Sequence, residues 1–175
     1  MLVPILIGVG ALLALLCLIA AFRPDKFRVE RSAEIAAPPA KVFALLQDFH
    51  EWPKWSPWEK LDPHMTRTHS GAAAGVGAKY AWKGDKKVGE GAMEILEAQA
   101  PTRLRIKLDF LVPFEAHNLT LFDLSAAGSG TRITWAMEGS QPFLFRLMCL
   151  FMSMDKMVGR DFEKGLAAMK SVAES

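Results

Sequence analysis

Residues 103–110, RLRIKLDF, alternate without a fault. Leu104, Ile106, Leu108 and Phe110 fall on one side, with Arg103, Arg105, Lys107 and Asp109 on the other. That is the period of a strand with one apolar and one wet face. Working outward, 88–98 reads as a preceding strand across the turn Ala100-Pro101, and 65–70 and 78–83 as earlier ones ended by Gly71 and Gly84-Asp85. On the other side, 115–124 and 131–138 flank Ala127-Gly128-Ser129-Gly130, and Ile133, Trp135 and Met137 share a face. In 115–124, Leu119 and Leu121 compete with Phe122 and Leu124, so the register stays open and a bulge is allowed.

The ends of the chain frame these strands. Residues 27–36 largely alternate, with Arg31 as the exception on the apolar side. Pro38-Pro39 stops that strand and opens a helix over 40–48, which buries Val42, Phe43, Leu45 and Leu46. An irregular stretch, 49–58, is broken by Pro53 and Pro57. Residues 143–172 read as one long helix whose stripe is Leu147, Phe151, Met154, Val158, Phe162 and Met169. Its first half is apolar nearly all round, which one core-facing stripe does not explain. The order predicts an α+β fold: a curved antiparallel sheet wrapped around a long C-terminal helix, with room between them for an apolar ligand.

Residues 2–22 carry no charge, and the first basic residues (Arg23, Lys26, Arg28, Arg31) follow directly. No basic n-region or small-residue cleavage site marks a secretory signal. The length suits a hydrocarbon core of about 30 Å. The expectation is therefore one N-terminal transmembrane helix over residues 2–22. The chain then divides into an anchor, 1–23, and a ligand-binding domain, 24–175. The basic flank predicts single-pass placement in the cell (inner) membrane with the C-terminal domain cytoplasmic.

Composition removes other classes. The 21 basic and 19 acidic side chains give a net charge of +2 without a concentrated basic face, so no nucleic-acid partner is expected. Cys17 and Cys149 form no CxxC pair. His50, His64 and His69, near Glu51 and Asp62, match no metal-ligand spacing, and no metal is expected. The glycine-rich 71–77 lacks the Lys-Ser/Thr of a phosphate loop, and no serine sits in a GxSxG elbow. No cofactor is expected.

Several segments together resemble one superfamily. Ala37-Pro38-Pro39-Ala40-Lys41-Val42-Phe43 is similar to its strand-to-helix turn, and Trp52-Pro53-Lys54-Trp55-Ser56-Pro57-Trp58 to its tryptophan-rich segment. Residues 75–82 (GVGAKYAW) and 89–95 (GEGAMEI) look like its third and fourth strands. Residues 130–135 (GTRITW) look like its last strand, and 162–166 (FEKGL) like part of its final helix. The chain thus resembles the START/Bet v 1-like (SRPBCC) superfamily, particularly bacterial polyketide cyclase/dehydrase-like proteins, over nearly all of 28–173. The resemblance implies the helix-grip fold with a hydrophobic cavity. It implies no particular reaction, since that superfamily mixes binders, carriers, cyclases and chaperone-associated modules.

The expected ligand-binding residues are Trp55, Trp58, Tyr80, Trp82, Phe110, Trp135, Met137, Phe151, Met154 and Val158. Trp52, Trp55 and Trp58 read first as aromatics packing the short helical region onto the sheet, with a rigid wall at a cavity mouth as the alternative. Met93, Ile95, Ile106 and Leu108 are also expected to face the gap. Glu59, Asp123 and His117 are weak catalytic candidates, each with an ordinary solvated role as alternative. The leading expectation is a membrane-anchored binding protein for a hydrophobic small molecule or lipid, without robust catalysis. A polyketide cyclase/dehydratase-like enzyme using the same cavity is the alternative, and a protein-interaction or stress-response module the second.

Overall fold

A computed structural model describes residues 2–175, with side chains described for all of these except Leu2, Val3 and Ile5. Helix α1 spans Leu2–Ala21 and is followed by β1, Lys26–Ile35. Next come α2, Pro39–Gln47, and a 3₁₀ helix, Phe49–Lys54. Six strands follow: β2 Thr66–Gly71, β3 Ala78–Lys83, β4 Glu90–Gln99, β5 Arg103–Val112, β6 Ala116–Ala127 and β7 Gly130–Ser140. Two helices, α3 Phe143–Met148 and α4 Met154–Glu174, end the chain.

The seven strands form one antiparallel sheet in the order β1-β7-β6-β5-β4-β3-β2. Strands β2 to β7 are successive neighbours, and β1 pairs with β7 from Lys26↔Ser140 to Ile35↔Thr131. The sheet and its long C-terminal helix make the α+β architecture expected above. Strand β6 settles its own register: Asn118, Thr120, Phe122 and Leu124 are buried. Leu119 and Leu121 take the other face, so two polar residues point inward. The sheet's register shifts lie between β4 and β5, at Glu90/Gly91 and Ile95/Glu97.

The C-terminal segment is two helices rather than one. The break falls at Cys149–Ser153, where the Ser153 hydroxyl accepts the Lys156 N–H as an N-cap and Asp155 follows in the first turn. Helix α4 packs on β1 and buries Phe162, Gly165, Leu166, Met169 and Ala173. Arg31, the misfit of the apolar pattern, is the bridge between them. Its guanidinium meets Asp155 at 2.8 Å and Glu163 at 2.8 Å.

The tryptophan segment finishes α2. The last carbonyls of a helix have no intrahelical donor. Here the Trp55 and Trp52 indoles donate to Leu45 O and Leu46 O, each at 3.0 Å.

Among the described residues, no helix is long and apolar enough to cross a membrane. The expected transmembrane helix over 2–22, and with it the single-pass inner-membrane location with a cytoplasmic domain, is corrected accordingly. The physical reason lies at the end of the helix, which is packed against the domain rather than free to continue into lipid. The part of that expectation resting on the side chains of residues 1–3 and 5 lies outside the described residues. The end of α1 is tied to the domain: Ala20 is fully buried, and Arg146 Nη1 donates to Ala21 O (3.3 Å) and Arg23 O (3.0 Å).

Candidate functional site

Between the sheet, the segment 52–65 and α4 lies a cavity of about 280 Å³. Its wall is aromatic and sulfur-rich: Trp52, Trp58, Tyr80, Trp82, Phe110, Trp135 and Phe162, with Met65, Met93, Met137 and Met157. Tyr80 and Trp82 come from alternate positions of β3, where period two puts both on the inner face. Gly91 on β4 makes room for Trp82, since a Cβ there would lie 2.4 Å from its Cζ2. Gly165 does the same on α4, where a Cβ would lie 2.7 Å from Trp135 Cζ3. That absence of a side chain lets the Trp135 indole stack on Phe162, with centroids 4.1 Å apart and planes at 9°.

One polar cluster enters the wall. The Tyr80 hydroxyl donates to Glu59 Oε1 at 2.5 Å, and Arg67 Nε donates to Glu59 Oε2 at 2.7 Å. Arg67 Nη2 also donates to Glu59 O at 2.7 Å. Burial, then the hydrogen bond to Glu59, push the Tyr80 phenol above its ordinary value. It therefore stays protonated as a donor, and both carboxylate oxygens are engaged. Ser56, Lys87, Thr120 and Asp161 are the other polar residues of the lining.

Of the residues expected to bind ligand, Trp58, Tyr80, Trp82, Phe110, Trp135, Met137 and Val158 line this cavity. Trp55 lies in the core, 1 % exposed, behind the wall. Phe151 and Met154 line a different, open recess of about 520 Å³ with Arg23, Phe27 and Cys149, because the helix break at 149–153 turns them away. Met93 and Leu108 reach the cavity, while Ile95 and Ile106 are core.

Only Glu59 of the three catalytic candidates is in the wall. His117 is exposed on β6, where its hydrogen bond to Asp109 (2.7 Å) raises its pKa. Burial opposes ionisation of Asp109, but hydrogen bonds from Lys107 and His117 outweigh it and hold the carboxyl below its usual range. Asp123 pairs with Arg103 at 2.7 Å on the outer side of the sheet. His50 and His69 stack at 4.1 Å, and burial, then the neighbouring His50, depress the His69 pKa. Among the described residues, no group of three or more His, Cys, Asp or Glu is placed to hold a metal ion.

Residues 26–174 match the family model described as polyketide cyclase/dehydrase and lipid transport. The chain belongs to this family. No curated protein matches it. Among solved structures, protein CV1439 from Chromobacterium violaceum is 18% identical with a TM-score of 0.61, covering 87% of this chain and 99% of its own. The Aha1 dimer from Colwellia psychrerythraea is 13% identical with a TM-score of 0.58, covering 85% and 96%. Ara h 8.0201 is 14% identical with a TM-score of 0.57, covering 85% and 97%. At these identities the likeness is one of fold, the helix-grip architecture.

For this polyketide cyclase/dehydrase family member, several wall residues escaped the sequence. Met65 and Val88 were expected to open the strands 65–70 and 88–98 but lie in the connections just before β2 and β4, and Thr120 was hidden by the unread register of β6. Arg67, on an edge strand that is polar throughout, carried no signal of its pairing with Glu59.

Proposed function

We propose that this protein binds a hydrophobic small molecule in the cavity between the sheet and α4. The observation that carries this reading is the wall itself, with seven aromatic and four methionine side chains around about 280 Å³. Aromatic faces supply large contact areas, and methionine adapts to irregular shapes. The volume is at the small end of ligand pockets, roughly 300–1,000 Å³, and favours a compact molecule over a two-chain lipid.

Catalysis of the cyclase or dehydratase kind is the second reading, favoured by the placement of Glu59 and Tyr80 in the wall. It is the weaker one. Both Glu59 oxygens already accept hydrogen bonds, and Tyr80 holds its proton tightly. Asp123 and His117 sit outside the cavity.

Titration with N-phenyl-1-naphthylamine tests the binding reading. One probe per chain should bind with enhanced fluorescence. Val158→Trp and Met137→Trp, each folded by circular dichroism, should weaken binding roughly 10-fold or more by filling the space. Unchanged affinity in both variants would count against the cavity as the binding site.

A further inference from the structure

The indoles around the cavity differ in one respect. Trp52 and Trp55 donate to Leu46 O and Leu45 O, and Trp82 donates to Val88 O at 3.4 Å. Trp135 is 2 % exposed, yet its Nε1 is buried with no hydrogen-bond partner. Buried donors almost always find an acceptor, so an orphan needs an explanation. The ring is held on two sides, stacked on Phe162 and with its Cζ3 corner at Gly165. On an indole the Nε1 edge lies across from that corner, so the donor is on the edge turned away from Gly165. Trp58 and Trp55 cross the ring at 85° and 78°, with centroids 5.7 and 5.6 Å away. An aromatic face is a weak substitute for an oxygen acceptor.

We propose that the ligand carries a neutral hydrogen-bond acceptor, such as a carbonyl or ether oxygen, that takes the Trp135 Nε1–H. Trp135 thereby selects oxygen-bearing apolar molecules over pure hydrocarbons of the same shape. The inference rests on the cavity reading above. A neutral acceptor fits better than an anion because the wall offers no unbalanced cation: Glu59 is paired with Arg67, and Lys87 shares the lining with Asp161. The gain is of the size expected when a stranded buried donor is satisfied, and it appears as selectivity rather than as bulk affinity.

Two probes of nearly equal shape, 1-tetralone and tetralin, test this on the full chain. The ketone should bind roughly 3- to 10-fold more tightly. In Trp135→Phe, which keeps an aromatic ring on Phe162, the ratio of the two affinities should fall to about one, whatever the change in overall affinity. In ¹⁵N-labelled wild-type protein the Trp135 indole proton should move downfield with 1-tetralone and not with tetralin, a readout that holds even if the variant fails to fold. Equal affinities with an unmoved indole resonance would overturn the acceptor and leave the cavity standing. Binding of neither probe would overturn the cavity reading and this inference together.

Discussion

Tyr80 is the only tyrosine of the chain, so its titration can be read directly in near-ultraviolet absorbance. Burial and the hydrogen bond to Glu59 raise its pKa above the ordinary value of about 10. The folded chain therefore holds this proton more tightly than the unfolded chain. The associated stability is complete below pH of about 10 and is lost as pH rises through the folded value. Tyrosinate absorbance of the native protein should begin only above that ordinary value, and Glu59→Gln should move the midpoint down. A native midpoint at or below about 10 would show that the phenol is not held in this way. The sequence placed Tyr80 on an inner strand face by alternation, but its partner Arg67 is joined to Glu59 by tertiary folding alone. Trp55 shows the same limit: its spacing from Trp52 and Trp58 was legible, whereas its use as donor to a carbonyl ten residues earlier was not.

Single elements were legible where one periodicity ran unopposed, as in β5, and ambiguous where two patterns overlapped. Strand β6 carries apolar residues on both faces, because Leu119 and Leu121 cover the outer side while Thr120 and Asn118 face inward. The division of α3 from α4 was masked by continuous apolarity, although Ser153 and Asp155 are ordinary helix-start residues. Arg31 looked like a fault in β1 and is instead the clamp on the first turns of α4, holding Asp155 and Glu163. This ion pair keeps the Asp155 carboxyl below its usual range. Arg31→Met should loosen α4 locally. Amide exchange should rise in 154–163 and stay slow in 166–173, which is anchored by Leu166, Met169 and Ala173. Uniform acceleration along α4, or none, would mean that apolar packing alone seats the helix.

At the scale of the molecule, the α+β architecture was legible because seven strands and one long helix leave few ways to bury all the apolar faces. The N-terminal run was misread as a span because length and charge in sequence say nothing about what the end of a helix packs against. Helix α1 packs chiefly on α3, and Arg146 closes the junction by donating to Ala21 O and Arg23 O, with Arg23 Nη1 donating to Cys149 O at 2.8 Å. Cations at the carbonyl end of a helix are favourable. The sheet, the 52–65 segment and α4 enclose the cavity without α1, and none of the lining residues precedes Trp52. Removing residues 1–22 should therefore leave the affinity for N-phenyl-1-naphthylamine within about twofold. The effect should appear in α3, where Phe143 and Leu144 are already 43% and 66% exposed. Exchange over 143–152 should rise, while β5, β6 and β7 keep their protection. Loss of probe binding, or unfolding of the sheet in the truncated chain, would show that α1 is part of the structure that holds the cavity.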